Sequence, residues 1–286
     1  MILGGNMKLT RKQFEILAGL AEHKEITFSD EIEFLSEKGF IKNGAVTEKG
    51  LEALEPYRAK RAVFIAAGFG SRLVPVTLHT PKPLVCVNGK RIIDGLMDAC
   101  IRAGINDIYI VRGYLGEKFD ELLSKYPMIK FIDNPMYNTA NNISSAFCAR
   151  ELLCNSYVFE ADLLISNEKI IVPYHYTSDF LAIKKNHTND WCFEVTDGII
   201  TKEKVSGDDC WQMVGISFWS EDDGKKLSDD IQRIFESEKQ CYWEQVPLEY
   251  CKENYQVEIR ECFDEDIIEI DTFEELKKID SSYNGG

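Results

Sequence analysis

Residues 62–84 read AVFIAAGFGSRLVPVTLHTPKPL, and their order decides the fold. Ala62 to Ala66 form an unbroken apolar run. A strand covered on both faces loses the polar alternation of a half-exposed one, so the run reads as an interior parallel strand. It breaks into Ala67-Gly68-Phe69-Gly70-Ser71-Arg72. Two glycines let the backbone turn sharply and bring its N–H groups close to a polyanion, Ser71 adds a hydroxyl donor, and Arg72 offers a planar fork suited to phosphate oxygens. Further on, Lys82 stands between Pro81 and Pro83. The two rings stiffen the backbone, so a compact ammonium charge is presented from a rigid segment. A dinucleotide-binding turn would need a third glycine where Ser71 to Leu73 stand, and no G-K-[ST] of a Walker loop occurs.

The rest of the composition narrows the class. The chain has 286 residues and is 44% hydrophobic, enough for one sizeable core and a small appendage. A net charge of -15 opposes broad binding to nucleic acid or anionic membrane, since both require a positive surface. No apolar run reaches membrane-spanning length, and the N-terminus lacks a signal peptide's order of charge then apolar residues, so a cytoplasmic protein is expected. Nine scattered cysteines, none in CxxC, read as reduced small hydrophobes; zinc is not supported.

Residues 1–7 read as a loose leader. Thr10 is placed to cap a helix running to about His23, and a second helix is expected over Ser29 to Lys38, capped by Ser29 or Asp30. Two short strands about Asn43-Gly44 read as a hairpin, and a third helix begins near Thr47 and ends near Tyr57. This block, within residues 1–60, resembles a winged-helix module. It holds nine Lys/Arg against ten Asp/Glu, and the helix in the usual recognition position carries Asp30, Glu31, Glu33 and Glu37. Such a face repels phosphates, so packing, homodimerisation or regulation is expected of it in preference to DNA reading.

From Arg61 to the C-terminus, strands alternate with helices. A helix is expected over Ile92 to Ala103, a strand over Asp107 to Val111, a helix over Glu117 to Lys125 and a strand over Ile129 to Asp133. A helix over Asn142 to Leu153 and a strand over Tyr157 to Glu160 follow. The pattern predicts a doubly wound, mostly parallel α/β sheet whose ligands bind beyond the carboxyl ends of the strands. Asp162 falls at such an end, with Glu160 read as facing the opposite side. Glu269 and Asp271 alternate onto one face, and Thr272 with Glu275 forms a capping box for a last helix.

The loop, with its spacer and P-K, resembles the signature of the nucleotidyltransferases that activate phosphorylated sugars and alcohols. Further matches sharpen this: Tyr137 to Ser144 (YNTANNIS), Asn189-Asp190-Trp191, Gly215 to Trp219 (GISFW), Tyr242-Trp243-Glu244 and Glu269 to Thr272 (EIDT). Over residues 61–280 the series is similar to bacterial CTP:phosphocholine cytidylyltransferases, with Glu at 244 where that group often has Asp. The resemblance implies CTP and phosphocholine as substrates and Mg²⁺ as cofactor, held by Asp162 and Asp271. It gives Ala67 to Arg72, with Asn142 and Ser144, to the nucleotide, and Arg72 and Lys82 to catalysis. Trp191, Tyr242, Glu244 and Glu269 would surround the choline, because a quaternary ammonium is recognised by aromatic faces and carboxylates. A 2-aminoethylphosphonate cytidylyltransferase and a sugar-1-phosphate nucleotidyltransferase are the rival enzymes, and a ligand-sensing winged-helix regulator is the rival outside catalysis.

Overall fold

The computed structural model describes residues 8–27 and 29–285; the leader expected at residues 1–7 lies outside them. Two compact units are present, residues 8–58 with 174–176, and residues 59–173 with 177–285.

The smaller unit runs α1 (Arg11–Ala21), α2 (Asp30–Glu37), β1 (Ile41–Lys42), β2 (Ala45–Val46) and α3 (Glu48–Leu54). Thr10 and Gln13 form a reciprocal capping box at the start of α1. Ser29 occupies the N-cap of α2 without a side-chain hydrogen bond. Asn43 and Gly44 both have positive φ, the backbone that a tight two-residue hairpin requires. Leu17, Leu35 and Leu54 are fully buried at its centre.

The larger unit is built on β3 (Arg61–Ala66), followed by β4 (Cys86–Val87), β5 (Lys90–Arg91), α4 (Ile92–Arg102), β6 (Asp107–Arg112), β7 (Lys130–Asp133), α5 (Ile143–Ala149), β8 (Ser156–Glu160) and β9 (Leu163–Ile165). After these come β10 (Asp179–Thr196), β11 (Ile199–Trp219), α6 (Glu221–Ser237), β12 (Glu258–Cys262), β13 (Ile267–Glu269) and α7 (Phe273–Ile279). Seven strands form one sheet in the order β10, β12, β11, β8, β3, β6, β7. Strand β3 lies in its interior, parallel to β6 with Val63 opposite Tyr109 and to β8 with Val63 opposite Val158. Its apolar run follows from this position, since Ala62 and Phe64 pack with α4 on one face while Val63 packs with Ala149 of α5 on the other. Helix α6 covers the same second face through Leu227 and Ile231. The sheet is therefore doubly wound and mostly parallel, with β11 antiparallel to β8.

Two elements depart from expectation. Gly116–Ser124 is a 3₁₀ helix, not an α-helix. Its buried residues, Phe119 and Leu122, are three apart, the spacing that a three-residue turn stacks on one side. The second departure is the length of β10 and β11: the sequence predicts one strand led by Asn189 to Trp191 and another over Gln212 to Trp219, and both lie within a single long hairpin turning at Asp197-Gly198, both with positive φ. Charged residues along the exposed half of this hairpin hide the strand period. Among the described residues, no helix is long and apolar enough to cross a membrane. All nine cysteines are free.

Candidate active site

Beyond the carboxyl end of β3 the chain turns through Gly68 and Gly70. Gly70 has φ +66, and a Cβ there would sit 3.0 Å from Lys82 Cβ, so this position requires glycine for both conformation and space. Thr77 Oγ1 donates to the Gly70 carbonyl at 2.9 Å and fixes the turn. Gly68, Gly70, Ser71 and Arg72 line a cavity of about 450 Å³, joined by Lys82 and Asp162. Ala67 and Phe69 do not line it. The Ala67 carbonyl accepts the Tyr114 N–H at 3.1 Å, and the Phe69 ring meets Tyr114 edge-on at 4.5 Å. Both support the loop from behind.

Lys82 is buried, and its Nζ donates to Asp162 Oδ2 at 2.8 Å and to Asp271 Oδ1 at 3.4 Å. Burial alone would pull the ammonium down, but Asp162, with Asp271 and Glu269, more than offsets it, and the net shift is upward. Lys82 thus stays charged. Arg72 Nη2 lies 2.6 Å from Asp271 Oδ1. Asp271 is fixed by its own N–H, which donates to Glu275 Oε2 at 2.9 Å, and the expected Thr272 and Glu275 capping box is present.

A second cavity of about 360 Å³ adjoins the first; Arg72, Glu160, Tyr242, Glu269 and Asp271 line both. Trp191 and Tyr242 face it, their ring centroids 5.6 Å apart and planes tilted by 66°. Glu203 and Glu244 also face it, together with Asp190 and Met213. Trp191, Tyr242, Glu244 and Glu269 are therefore brought together around one space, although they come from β10, the segment after α6 and β13.

Glu160 corrects the sequence expectation. It was placed on the side away from Asp162, yet it lines both cavities. Two residues apart is the strand period, so Glu160 and Asp162 belong on one side, a signal the sequence already held. Gly215 of β11 makes room for it: with φ +74, a Cβ at this position would be 2.6 Å from Glu160 Oε2. Glu203 carries no signal of its own in the sequence, because it stands between Lys202 and Lys204 in a stretch that reads as solvated.

Carboxylates crowd this region, and their protons are held tightly. Burial pushes Glu160 well up, helped by Glu244 and Asp162. Burial, then Asp162 and Asp271, raises Glu269 to about 9. Burial raises Glu203 to about 7, with Glu249 adding to it, and raises Glu244 as well. A cation entering the second cavity would relieve all four.

Asn142 lines the first cavity and also braces the second: its Oδ1 accepts the Trp243 N–H at 2.8 Å, and its Nδ2 donates to Glu244 Oε2 at 3.4 Å. Ser144, expected near the nucleotide, lines neither cavity. It is buried at the start of α5, donating to the Asn141 carbonyl at 2.8 Å and accepting from Asn134 at 2.9 Å.

One ligand oxygen from each of Glu160, Asp162 and Glu269 lies within 4.8 Å of the others, and the same holds for Asp190, Glu269 and Asp271. Asp162 Oδ1 is buried without a hydrogen-bond partner. Hard carboxylate oxygens of this kind fit a divalent cation such as Mg²⁺.

The nucleotidyl transferase family model matches residues 61–204. The chain is 35% identical over 228 residues to a 2-aminoethylphosphonate cytidylyltransferase of Lancefieldella rimae, covering 78% of this chain and 92% of that protein. It is 31% identical over 223 residues to the choline-phosphate cytidylyltransferase of Streptococcus pneumoniae, covering 77% and 96%. The solved structure of CTP:phosphocholine cytidylyltransferase from Streptococcus pneumoniae superposes with a TM-score of 0.72 at 31% identity, over 79% of this chain and 99% of that one.

Proposed function

The chain belongs to the nucleotidyl transferase family, and on that footing we propose that it is a cytidylyltransferase joining CTP to a small acceptor with a phosphate or phosphonate at one end and a cation at the other. The observation that carries this reading is the seam between the two cavities: a glycine-rich loop with two cations opens directly onto an aromatic space walled by carboxylates. An acceptor spanning the seam would place its anionic end beside Lys82 and its cation between Trp191, Tyr242 and the glutamates. Phosphocholine, expected from the sequence, and 2-aminoethylphosphonate, named for the Lancefieldella rimae relative, both meet this description.

In this mechanism an acceptor oxygen attacks the α-phosphorus of CTP. The new P–O bond forms as the bond to the bridging oxygen breaks, and pyrophosphate leaves with the electron pair. The attacking oxygen is already anionic, so no general base is required. The chain's work is positioning and charge stabilisation. The backbone of Gly68 to Ser71 would hold the triphosphate, Arg72 would exchange Asp271 for the β- and γ-phosphate oxygens, and Lys82 would sit between the α-phosphate and the incoming oxygen. Asp162 and Asp271 would hold Mg²⁺, with Glu160, Glu269 or Asp190 completing the set, and the ion would neutralise charge on the phosphates. The smaller unit is proposed to serve packing, homodimerisation or regulation, since the first turn of α2 carries Asp30, Glu31 and Glu33.

The test is ³¹P NMR of a reaction with CTP, Mg²⁺ and either acceptor. A new pair of coupled phosphorus resonances, with pyrophosphate in equal amount, supports the reading. Hydrolysis of CTP to CMP, with the acceptor unchanged, counts against it.

A further inference from the structure

Glu203 and Glu244 line the second cavity, and one buried carboxylate oxygen of each, Oε2 of Glu203 and Oε1 of Glu244, has no hydrogen-bond donor, while the Glu244 carboxyl also meets that of Glu160. Glu244 is 2% exposed, and both residues line the space that Trp191 and Tyr242 face. They reach it from separate elements, Glu203 from β11 opposite Phe193 of β10, and Glu244 from the segment that Asn142 braces. A buried acceptor left without a donor is costly, so a ligand that supplies N–H groups gains over one that does not.

We propose that Glu203, together with Glu244, reads N–H groups on the acceptor's cation, and that Glu203 is the residue that discriminates ammonium and partly methylated ammonium from trimethylammonium. The inference rests on the cytidylyl-transfer reading above and deepens it. A trimethylammonium is attracted to aromatic faces and to negative charge but donates no hydrogen bond. Among the described residues, Trp191 and Tyr242 bring the only rings to the cavity, against the carboxylates of Glu160, Asp190, Glu203, Glu244, Glu269 and Asp271. A primary ammonium seated between them would offer donors to Glu203 and Glu244 and a third N–H to Glu160 or Glu269. A trimethylammonium would leave the unpartnered oxygens of Glu203 and Glu244 without a donor, behind methyl groups. This is the asymmetry by which a site built to bond an N–H rejects an analogue lacking it more strongly than an apolar site rejects a missing methylene. Burial holds the Glu203 proton up to about 7, in keeping with a carboxylate that awaits a positive partner.

The experiment measures kcat/KM with CTP across a methylation series, phosphoethanolamine and its mono-, di- and trimethyl forms, together with the matching 2-aminoethylphosphonate series. For the unmodified protein, addition of the last methyl should lower kcat/KM by at least about tenfold, through the acceptor KM, with the CTP KM unchanged. Glu203→Leu should narrow that step to less than about threefold, and Glu203→Gln should lie between. A trimethyl acceptor used as well as or better than the dimethyl one would overturn the inference while leaving cytidylyl transfer standing. So would a step that persists unchanged in both variants. Absence of pyrophosphate release with every member of both series would overturn the cytidylyl-transfer reading itself, and the inference with it. The series in the unmodified protein decides the matter even if Glu203→Leu fails to fold.

Discussion

Lys82 and Asp162 form the innermost ion pair of the site, Nζ to Oδ2 at 2.8 Å, with Asp271 accepting from the same ammonium. The arrangement places one buried cation among the acids that would hold a metal. Lys82→Ala should lower kcat by about a hundredfold or more, the scale seen when one charge-stabilising donor is removed from a transition state. Circular dichroism should show the fold retained. A turnover within about threefold of the unmodified protein would remove Lys82 from the chemistry.

Asp162→Asn keeps the shape of the side chain and removes its charge. Activity should fall by about two orders of magnitude, and the Mg²⁺ concentration for half-maximal rate should rise. If the Mg²⁺ titration is unchanged, the ion is held by other acids of the cluster.

Gly215 sits where a Cβ would come 2.6 Å from Glu160 Oε2, in a left-handed backbone conformation. Gly215→Ala should therefore cost about 1–3 kcal/mol of stability from strain alone. Displacement of Glu160 should also raise the acceptor KM more than the CTP KM. Denaturant melts and the two KM values test this; equal effects on both substrates would detach Gly215 from the acceptor cavity.

Glu203 gives a pH signature that does not depend on turnover. Its carboxyl is raised from 4.5 to about 7 by burial and by Glu249, so the folded state binds this proton more tightly than the unfolded state. Stability from this group is then present below pH 4.5 and lost as pH rises toward 7. Glu203→Gln should leave Tm near that of the unmodified protein at pH 5 and exceed it by a few degrees at pH 8. A Tm difference that is flat over this range would contradict the assigned burial.

Trp191→Ala should raise the acceptor KM by about tenfold and leave the CTP KM unchanged, because the residue lines the second cavity and not the first. Equal weakening of both substrates would count against a separate cation subsite.

The sheet was legible because β3 is apolar on both faces and the segments from Ile92 to Glu160 keep a clear strand and helix alternation. The loop was legible because its chemistry lies within one short stretch. Of the hairpin of β10 and β11 only the stretches at Asn189 to Trp191 and Gln212 to Trp219 were legible, since Lys202, Glu203 and Lys204 read as a solvated face until a fold places one of them against a cavity. Glu160 was hidden differently. Its neighbour Asp162 drew the metal assignment, and only the glycine at 215, far along the chain, leaves room for a second acid beside it. Ser144 shows the reverse case: a family position placed it near the nucleotide, while its hydroxyl is spent inside the fold between Asn134 and Asn141.

The most direct test is pyrophosphate release measured for CTP, ATP, GTP and UTP, each with phosphocholine, phosphoethanolamine, 2-aminoethylphosphonate and glucose-1-phosphate. The account predicts release with CTP and a cationic acceptor, at least about a hundredfold above the same reaction with glucose-1-phosphate. Equal or faster release with glucose-1-phosphate, or preference for another nucleotide, would contradict it.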